Sequence, residues 1–360
     1  MGAGQFCVPK QTQKMIQAKG YAAQTNTSDL APWEFERREV GEHDVQFDIL
    51  YCGVCHSDLH QIRDDWFPGI FPMVPGHEIL GRVVKVGSKV TQFKVGQLAA
   101  TGCLVDSCGH CESCRHDLEQ YCAEGGTGTY NSMGRDGNPT YGGYSNTIVV
   151  KEDFVLHINE NADLAATAPL LCAGITTYSP LRHWKVGKGH KLAVLGLGGL
   201  GHMAVKFGVS FGAEVTVLST SPQKEADARK LGAHNFVVTT DEAQMKAARG
   251  TFDFILDTVS AAHDMNMYLS LLKTDGTMIC VGAPSQPAPV AAFSLLGGRK
   301  RLAGSAIGGI KETQEMLDYC AEHGIVSDIE LIAIKDIKQA YERMLKGDVR
   351  YRFVIDMSTL

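Results

Sequence analysis

The stretch Lys191-Leu-Ala-Val-Leu-Gly196-Leu197-Gly198-Gly199-Leu200-Gly201 joins a short apolar run to the pattern G-x-G-x-x-G. The run Lys191–Gly196 predicts a buried strand, and the small and apolar residues Leu200–Phe211 predict a helix. In such a unit Gly196 permits the tight turn, Gly198 lets a pyrophosphate approach the backbone, and Gly201 lets helix pack on strand. The stretch therefore predicts a dinucleotide-binding loop with phosphates at the helix N-terminus. A glycine-rich turn that binds nothing is the alternative.

More short apolar runs follow this loop and alternate with helical stretches: Glu214–Leu218, Phe252–Asp257 and Thr277–Val281. This alternation is typical of βαβ units around a buried parallel sheet. The middle of the chain is therefore predicted to be doubly wound, and the fold class to be α/β.

The chain before residue 155 is instead rich in strands and turns, with candidate strands at Asp44–Tyr51, Ile79–Val86 and Ser145–Val150. The last fifty residues predict two helices, Glu312–His323 and Ile337–Lys346, and a closing strand, Arg352–Ile355. We expect this C-terminal return to pack on the first part, which would make that domain discontinuous.

Composition excludes several classes of protein. Lys and Arg number 34 against 40 Asp and Glu, a net charge of -6 in 360 residues, so no basic excess marks a nucleic-acid binder. No stretch approaches 18 uninterrupted apolar residues, so no membrane contact is expected. The start MGAGQFCVPKQTQK has no apolar signal region, which predicts a cytoplasmic protein. In that setting eleven cysteines indicate metal binding or catalysis rather than disulfides.

The residues after the second strand of the doubly wound part bear on the choice of cofactor. A site for NAD normally carries Asp or Glu there, to bind the ribose 2′-hydroxyl. This chain has Ser219, Thr220 and Ser221, followed by Lys224, so no carboxylate would repel a 2′-phosphate. Hydroxyls and a lysine could bind that phosphate, which favours NADP(H). The alternative is that these residues only cap the next helix, and both can hold.

Four cysteines with regular spacing, Cys108, Cys111, Cys114 and Cys122, form the strongest signal. Four nearby thiolates can surround a tetrahedral Zn²⁺ and leave no open position, which predicts a structural zinc in a lobe at about 103–125. An iron–sulfur cluster or an inert cysteine-rich loop are the alternatives.

A second candidate metal set is dispersed along the chain. Cys55 lies in CGVCHSD, His77 and Glu78 lie in GHE, and Cys172 lies in LLCAG. Two thiolates and one histidine, with a carboxylate or water, make a mixed site whose exchangeable position suits catalysis. Sequence distance cannot show that these residues meet, and Cys172 alone would be read as a buried apolar cysteine.

These motifs occur in the order seen in zinc-dependent medium-chain alcohol dehydrogenases, and the chain resembles their cinnamyl alcohol dehydrogenase branch. The segments SxIGGIKET (Ser305–Thr313) and DVRYRFVID (Asp348–Asp356) strengthen the resemblance, which covers about residues 15–357. The first dozen residues look like an extension. The resemblance implies a GroES-like β-rich catalytic domain (1–160 and 310–360) and a Rossmann NADP-binding domain (161–309), with the active site between them, and it suggests a homodimer.

The resemblance also implies residue roles. Cys55, His77 and Cys172 would bind the catalytic zinc, and Glu78 would be a fourth ligand or a close neighbour of it. Asp58 would hydrogen-bond a ligand histidine. Ser57 and His60 would form a proton relay, and a surface histidine is the alternative for His60. The cofactor would contact the glycine loop, Ser219, Thr220, Ser221 and Lys224, and also His56, Thr176, Val281, Gly282, Ser305 and Ile307.

The chain departs from the plant lignin enzymes around the substrate. No tryptophan follows Cys122, and Ala306 stands where an aromatic residue is common. Trp66 and Phe67 are predicted to line the substrate cleft instead, with Trp66 in the core as the alternative. A roomy apolar pocket suggests broad reduction of aromatic and medium-chain aldehydes, of the cinnamaldehyde and benzaldehyde type.

The sequence therefore predicts a zinc- and NADP(H)-dependent alcohol dehydrogenase or aldehyde reductase, with two zinc ions per chain. The alternatives are a non-catalytic NADPH-binding sensor or structural protein of the same fold, and a zinc-free reductase acting by 1,4-addition. Either alternative would be expected to lack one of the zinc or relay residues, and this chain has them all.

Overall fold

The computed structural model describes residues 15–284 and 286–360, so the predicted N-terminal extension lies outside the described residues. The strands in chain order are β1 (Ile16–Ala22), β2 (Ala31–Arg37), β3 (Asp44–Val54), β4 (Ile79–Val86), β5 (Leu98–Thr101), β6 (Leu104–Asp106), β7 (Thr127–Gly128), β8 (Thr147–Lys151), β9 (Leu156–His157), β10 (Lys191–Leu195), β11 (Glu214–Ser219), β12 (Asn235–Val238), β13 (Phe252–Asp257), β14 (Leu272–Cys280), β15 (Arg301–Gly304), β16 (Ile329–Ala333) and β17 (Arg352–Asp356).

The α-helices in chain order are α1 (His56–Ile62), α2 (Glu112–Arg115), α3 (Leu164–Thr167), α4 (Ala173–His183), α5 (Gly201–Ser210), α6 (Glu225–Lys230), α7 (Glu242–Ala247), α8 (Met265–Leu269), α9 (Ala292–Leu296), α10 (Ile310–His323) and α11 (Ile337–Leu345). Among the described residues no single helix is long and apolar enough to cross a membrane. Two helical segments bent by 56°, Leu164–Leu171 and Ala173–His183, reach that length and composition only together.

The middle of the chain forms a six-stranded sheet in the order β12-β11-β10-β13-β14-β15, and every pair in it is parallel. This is the doubly wound order 3-2-1-4-5-6, in which strand order reverses next to the first strand. The predicted strand Phe252–Asp257 is matched exactly, and helix α5 is shorter by one residue at each end than the predicted Leu200–Phe211. Because both faces are covered, β10 and β11 carry fully buried apolar side chains.

The N-terminal part forms a seven-stranded sheet in the order β16-β17-β3-β4-β5-β9, with β8 also paired to β3. Strand β17 runs antiparallel to β3, so that Ile355 lies opposite Cys52. The C-terminal return therefore completes the N-terminal sheet, as expected. The two sheets agree with the predicted fold class, a GroES-like β-rich part beside a Rossmann doubly wound part.

Two differences from the predicted elements matter for the site. Strand β3 continues to Val54, three residues past the predicted end, and helix α1 begins at His56, so Cys55 lies between them. The predicted strand Ser145–Val150 is shifted to Thr147–Lys151. The domain limits at 160 and 310 stay a prediction.

Candidate active site and zinc centres

Helix α1 places the first group of candidate residues. Its N-cap residue is Cys55, and Asp58 Oδ2 accepts a hydrogen bond from the Cys55 N–H at 2.9 Å, which closes a capping box. Ser57 and His60 lie three residues apart and so on one face of the helix. Both line the large cleft between the two sheets, whereas Asp58 is fully buried.

Asp58 orients His77. Its Oδ1 accepts from His77 Nδ1 at 3.0 Å and from the Gly76 N–H at 3.1 Å, while the Tyr144 hydroxyl donates to Oδ2 at 3.2 Å. A carboxylate acceptor assigns the ring proton to Nδ1 and leaves Nε2 as the free lone pair. His77 is thereby prepared as a metal ligand, and the bond predicted for Asp58 is present.

The dispersed set converges in the structure. One ligand atom from each of Cys55, His77, Glu78 and Cys172 lies within 4.8 Å of the other three, and all four residues are buried. Cys55 Sγ and Cys172 Sγ are 4.0 Å apart. Two thiolates about 2.3 Å from one tetrahedral zinc lie about 3.8 Å apart, so this donor set fits the ion. Cys172 precedes α4 and points into this cluster, which excludes its reading as an inert apolar cysteine.

The two carboxylate oxygens of Glu78 differ in their contacts. One carboxylate oxygen pairs with Arg352, whereas Oε2 is buried and has no hydrogen-bond partner. A Cβ on Gly53 would come within 1.8 Å of that oxygen, so the glycine of CGVC makes room for it. Burial raises the pKa of Glu78 to about 8 while Arg352 opposes this shift. An unpartnered carboxylate oxygen among two thiols and an imidazole fits a fourth ligand to zinc.

The predicted relay residues lie at the mouth of this cluster. Ser57 Oγ is 3.5 Å from Cys55 Sγ. His60 Nδ1 is 2.7 Å from Asp65 Oδ2, and the His60 ring stacks on Trp66 at 4.8 Å between centroids. His60 therefore has a carboxylate partner on one nitrogen, and it lines the cleft.

The four-cysteine lobe folds around its own sulfurs. The ligand atoms of Cys108, Cys111, Cys114 and Cys122 lie within 4.8 Å of one another, and Cys108 Sγ and Cys114 Sγ are 3.8 Å apart, as around one tetrahedral zinc. The N–H groups of Ala123 and Cys114 lower the pKa of the Cys111 thiol to about 6, which favours the thiolate that zinc requires.

The cleft between the sheets has a volume of about 960 Å³. The glycine loop lines it at the switch point beside β10, through Leu197, Gly198, Gly199 and Leu200, whereas Gly196 and Gly201 shape the turn. A Cβ on Gly201 would come within 2.1 Å of the Gly196 carbonyl oxygen, so only glycine allows this approach. The other predicted cofactor residues that line the cleft are His56, Thr176, Lys224, Val281, Gly282, Ser305 and Ile307.

The end of β11 carries no carboxylate. Ser219 is buried and its Oγ accepts from the Ser221 N–H at 3.2 Å, and Thr220 is exposed. Of the four residues predicted near a 2′-phosphate, only Lys224 lines the cleft, with Nζ donating to the Leu197 carbonyl at 2.9 Å. Burial lowers the pKa of Lys224.

Comparison with known proteins decides the family. Residues 41–160 match the model of the alcohol dehydrogenase GroES-like domain, and residues 199–322 match that of the zinc-binding dehydrogenases. The chain is 56% identical over 325 residues, 90% of its length and 93% of the relative's, to a probable formaldehyde dehydrogenase of Bacillus subtilis (strain 168). The chain belongs to the zinc-binding alcohol dehydrogenase family.

Two further relatives extend this result. An NADP-dependent alcohol dehydrogenase C of Mycolicibacterium smegmatis is 54% identical over 96% of this chain and 99% of its own. A solved cinnamyl alcohol dehydrogenase of Sorghum bicolor superposes with a TM-score of 0.93 at 46% identity, covering 95% of this chain and 98% of that one. The resemblance inferred from the motifs is confirmed, and the alternative of a non-catalytic sensor is not supported.

One predicted residue of the substrate cleft, Phe67, does not line it in the structure. Trp66 and Ala306 line the cleft, but Phe67 is 73% exposed and lies outside its lining, because the turn after α1 directs it to solvent. Tyr130 also lines the cleft and stacks on His77, with 5.7 Å between centroids. Trp66, beside His60, and Tyr130, beside His77, therefore present aromatic rings to the cleft near the candidate zinc site.

Sequence reasoning missed two residues of the dehydrogenase site. Asp65 belongs to none of the motifs, yet it binds His60; an acidic residue five positions after a relay histidine is the only available signal. Arg352 has no predicted role beyond its place in the closing strand, yet it pairs with Glu78 and donates to the Val54 carbonyl at 2.9 Å. Gly199 faces it directly, since a Cβ there would lie 2.8 Å from Arg352 Cδ.

Proposed function

We propose that the chain reduces aromatic and medium-chain aldehydes with NADPH, and oxidises the corresponding alcohols in reverse. The observation that carries the proposal is the convergence of Cys55, His77, Glu78 and Cys172, because the first two and Cys172 line the cleft that the glycine loop also lines. A dinucleotide loop and a mixed sulfur–nitrogen metal site facing one cleft suit hydride transfer to a polarised carbonyl.

NADPH would supply the hydride, and zinc, as a Lewis acid, would polarise the carbonyl. The residues of the chain would bind the cofactor and orient it. The loop N–H groups would bind the pyrophosphate, with Arg352 packed against Gly199, and Lys224 would lie nearest the 2′-phosphate. The absence of a carboxylate after β11 and the NADP dependence of the Mycolicibacterium relative support NADPH over NADH.

The chain also moves the proton. Reduction of a carbonyl requires a proton at oxygen, and the cleft wall is largely apolar. Ser57 beside Cys55 and His60 beside Asp65 offer a hydroxyl and an imidazole on one face of α1. We assign proton delivery to these two residues: His60 would exchange the proton with solvent, and Ser57 would donate it towards the substrate oxygen.

The side chains that line the cleft suggest that it accepts a broad range of aldehydes. Trp66 and Tyr130 present aromatic faces, and Ala306 leaves open the space that a larger side chain would fill. The names of the relatives range from formaldehyde to cinnamyl alcohol dehydrogenase, which agrees with a pocket that discriminates weakly among aldehydes.

We also propose a homodimer joined along one edge of the six-stranded sheet, the edge opposite β12. Strand β15 is that edge, Leu302 on it is 38% exposed, and the nearby helix α9 leaves Phe293 85% exposed. A cytoplasmic location is proposed as well, because all ten cysteines in the described ranges are free thiols.

The test uses one purified sample of the full chain. Zinc is measured by elemental analysis, and NADPH and NADH oxidation are followed with benzaldehyde, cinnamaldehyde and a medium-chain aliphatic aldehyde. About two zinc ions per chain and turnover that prefers NADPH are expected. The matched variant Cys172→Ala should lose one zinc and turnover while retaining NADPH binding. One zinc per wild-type chain without turnover would contradict the proposal.

A further inference from the structure

His202 is a fully buried histidine outside the zinc site and the relay. It is the second residue of α5, directly after the last glycine of the loop, and its side chain reaches both parts of the molecule. Nδ1 lies 3.2 Å from the Gly198 carbonyl oxygen, and Nε2 lies 3.0 Å from Ser327 Oγ. The ring also stacks on Tyr351, with 4.9 Å between centroids and 14° between planes.

The two bonds define the state of the ring. A carbonyl oxygen can only accept, so Nδ1 carries the proton and donates to Gly198. In the neutral imidazole Nε2 then accepts, and the Ser327 hydroxyl donates to it. Burial lowers the pKa of His202 to about 3, so the neutral form persists at neutral pH. The ring therefore bridges a loop carbonyl and a hydroxyl of the C-terminal segment.

The partners of His202 belong to the joint between the two sheets. Ser327 lies just before β16, and Tyr351 lies just before β17 and lines the cleft. Lys206, one turn further along α5, donates to the Val326 carbonyl at 2.7 Å and pairs with Asp328 at 2.9 Å. The first half of α5 is thus bound along its length to residues 326–328.

We propose that His202 is a positioning residue that holds the glycine loop against the C-terminal segment and thereby sets the affinity for NADPH. Gly198 and Gly199 line the cleft, and Arg352, next to Tyr351, packs against Gly199 from the same side. A loop that is fixed at Gly198 by His202 and at Gly199 by Arg352 is ordered before the cofactor binds. Binding NADPH then costs less conformational entropy. This inference rests on the proposed use of NADPH.

The experiment measures dissociation constants directly, by fluorescence titration of the zinc-loaded full chain with NADPH and with adenosine 2′-monophosphate. The second probe lacks the pyrophosphate and therefore does not require the loop. Ser327→Ala and His202→Asn break the bond to the C-terminal segment. We expect each variant to raise the dissociation constant of NADPH about fivefold, as the loss of one buried hydrogen bond would. The dissociation constant of adenosine 2′-monophosphate should stay within twofold of the wild-type value.

Two variants serve as comparisons. His202→Gln has a longer amide that reaches Ser327, so it should recover more NADPH affinity than His202→Asn. His190→Gln replaces a histidine at the opposite end of β10, where Nδ1 accepts from the Gly187 N–H, and should change neither affinity.

The outcomes separate the two claims. A wild-type chain that fails to bind NADPH overturns the proposed function and this inference with it. A wild-type chain that binds NADPH, with Ser327→Ala and His202→Asn within twofold of it, overturns the inference alone. Equal weakening of both probes would show that His202 only stabilises the fold, which also overturns the inference.

Discussion

Individual residues acquire their roles here through neighbours that are distant in sequence. Arg352 and Glu78 are 274 positions apart, yet they form a buried ion pair beside the catalytic cluster. Removing one partner of such a pair typically costs about 3–5 kcal/mol because the other charge is left buried. No periodicity or spacing could predict this pairing, because it depends on β17 joining the N-terminal sheet.

The role of Asp65 could not be predicted from the sequence for a different reason, which is local backbone conformation. The sequence places it five residues after His60, but the contact requires a turn in which Asp64 adopts a left-handed conformation with φ of 58°. Asp64 is held there by the Gly69 N–H and the Asn26 side chain. The dispersed candidate ligands, in contrast, do converge in the structure, as the family resemblance implied, and their binding of zinc stays a prediction.

Asp65→Asn tests the partner of the relay histidine. An amide can still accept a hydrogen bond but no longer stabilises an imidazolium, so we expect kcat to fall about tenfold at neutral pH, within the usual contribution of acid–base catalysis. The NADPH dissociation constant should not change. Steady-state kinetics and a binding titration provide the check. Asp64→Asn is the matched control, and an equal loss of kcat in both variants would contradict a specific role for Asp65.

At the scale of elements, strand ends decide what enters the cleft. Strand β3 continues three residues beyond its predicted end, and Cys55 follows directly after the C-terminal end of this interior strand. The parallel strands of the doubly wound part were easier to predict, because burial on both faces gives uninterrupted apolar runs. Strands β1 and β2 escaped prediction because several of their buried positions carry small or charged residues (Ala18, Gly20 and Arg37), so their alternating burial does not appear as alternating hydrophobicity.

Ser219→Asp tests the end of β11. A carboxylate there repels a 2′-phosphate and can accept from the 2′-hydroxyl of NADH. We expect the NADPH dissociation constant to rise at least tenfold, roughly 1.4 kcal/mol, with little change for NADH. Parallel titrations with both cofactors measure the difference. If both dissociation constants shift by the same factor, the proposed position of the 2′-phosphate is wrong.

Cys111→Ser tests the four-cysteine lobe. The lobe contacts the cleft wall, because the Ile310 N–H donates to Glu119 at 3.0 Å and the Ala306 N–H donates to the Tyr121 hydroxyl at 3.1 Å. We expect one zinc fewer per chain and a Tm lower by several degrees, as loss of a structural metal implies. Elemental analysis and thermal unfolding are the measurements. His116→Gln in the same lobe should change neither, and a fully stable Cys111→Ser chain lacking one zinc would refute a structural role.

At the scale of the whole molecule, two sheets have free edges with exposed leucines: Leu302 on β15 and Leu331 on β16. The proposed dimer uses only the first. Leu302→Lys should therefore produce monomers, because a charge on an edge strand opposes pairing. Leu331→Lys should leave the assembly unchanged. Sedimentation velocity distinguishes the two, and a dimer that survives Leu302→Lys would place the interface elsewhere.

The pairing of β17 with β3 has a consequence for biosynthesis. Strand β3, which ends one residue before Cys55, cannot gain this neighbour, nor Glu78 its arginine, until residues 352–356 have left the ribosome. The doubly wound sheet uses only strands between residues 191 and 304, so it can form earlier during synthesis. Nascent chains of this enzyme should thus hold an ordered nucleotide-binding half while the metal-binding half still waits for its last strand.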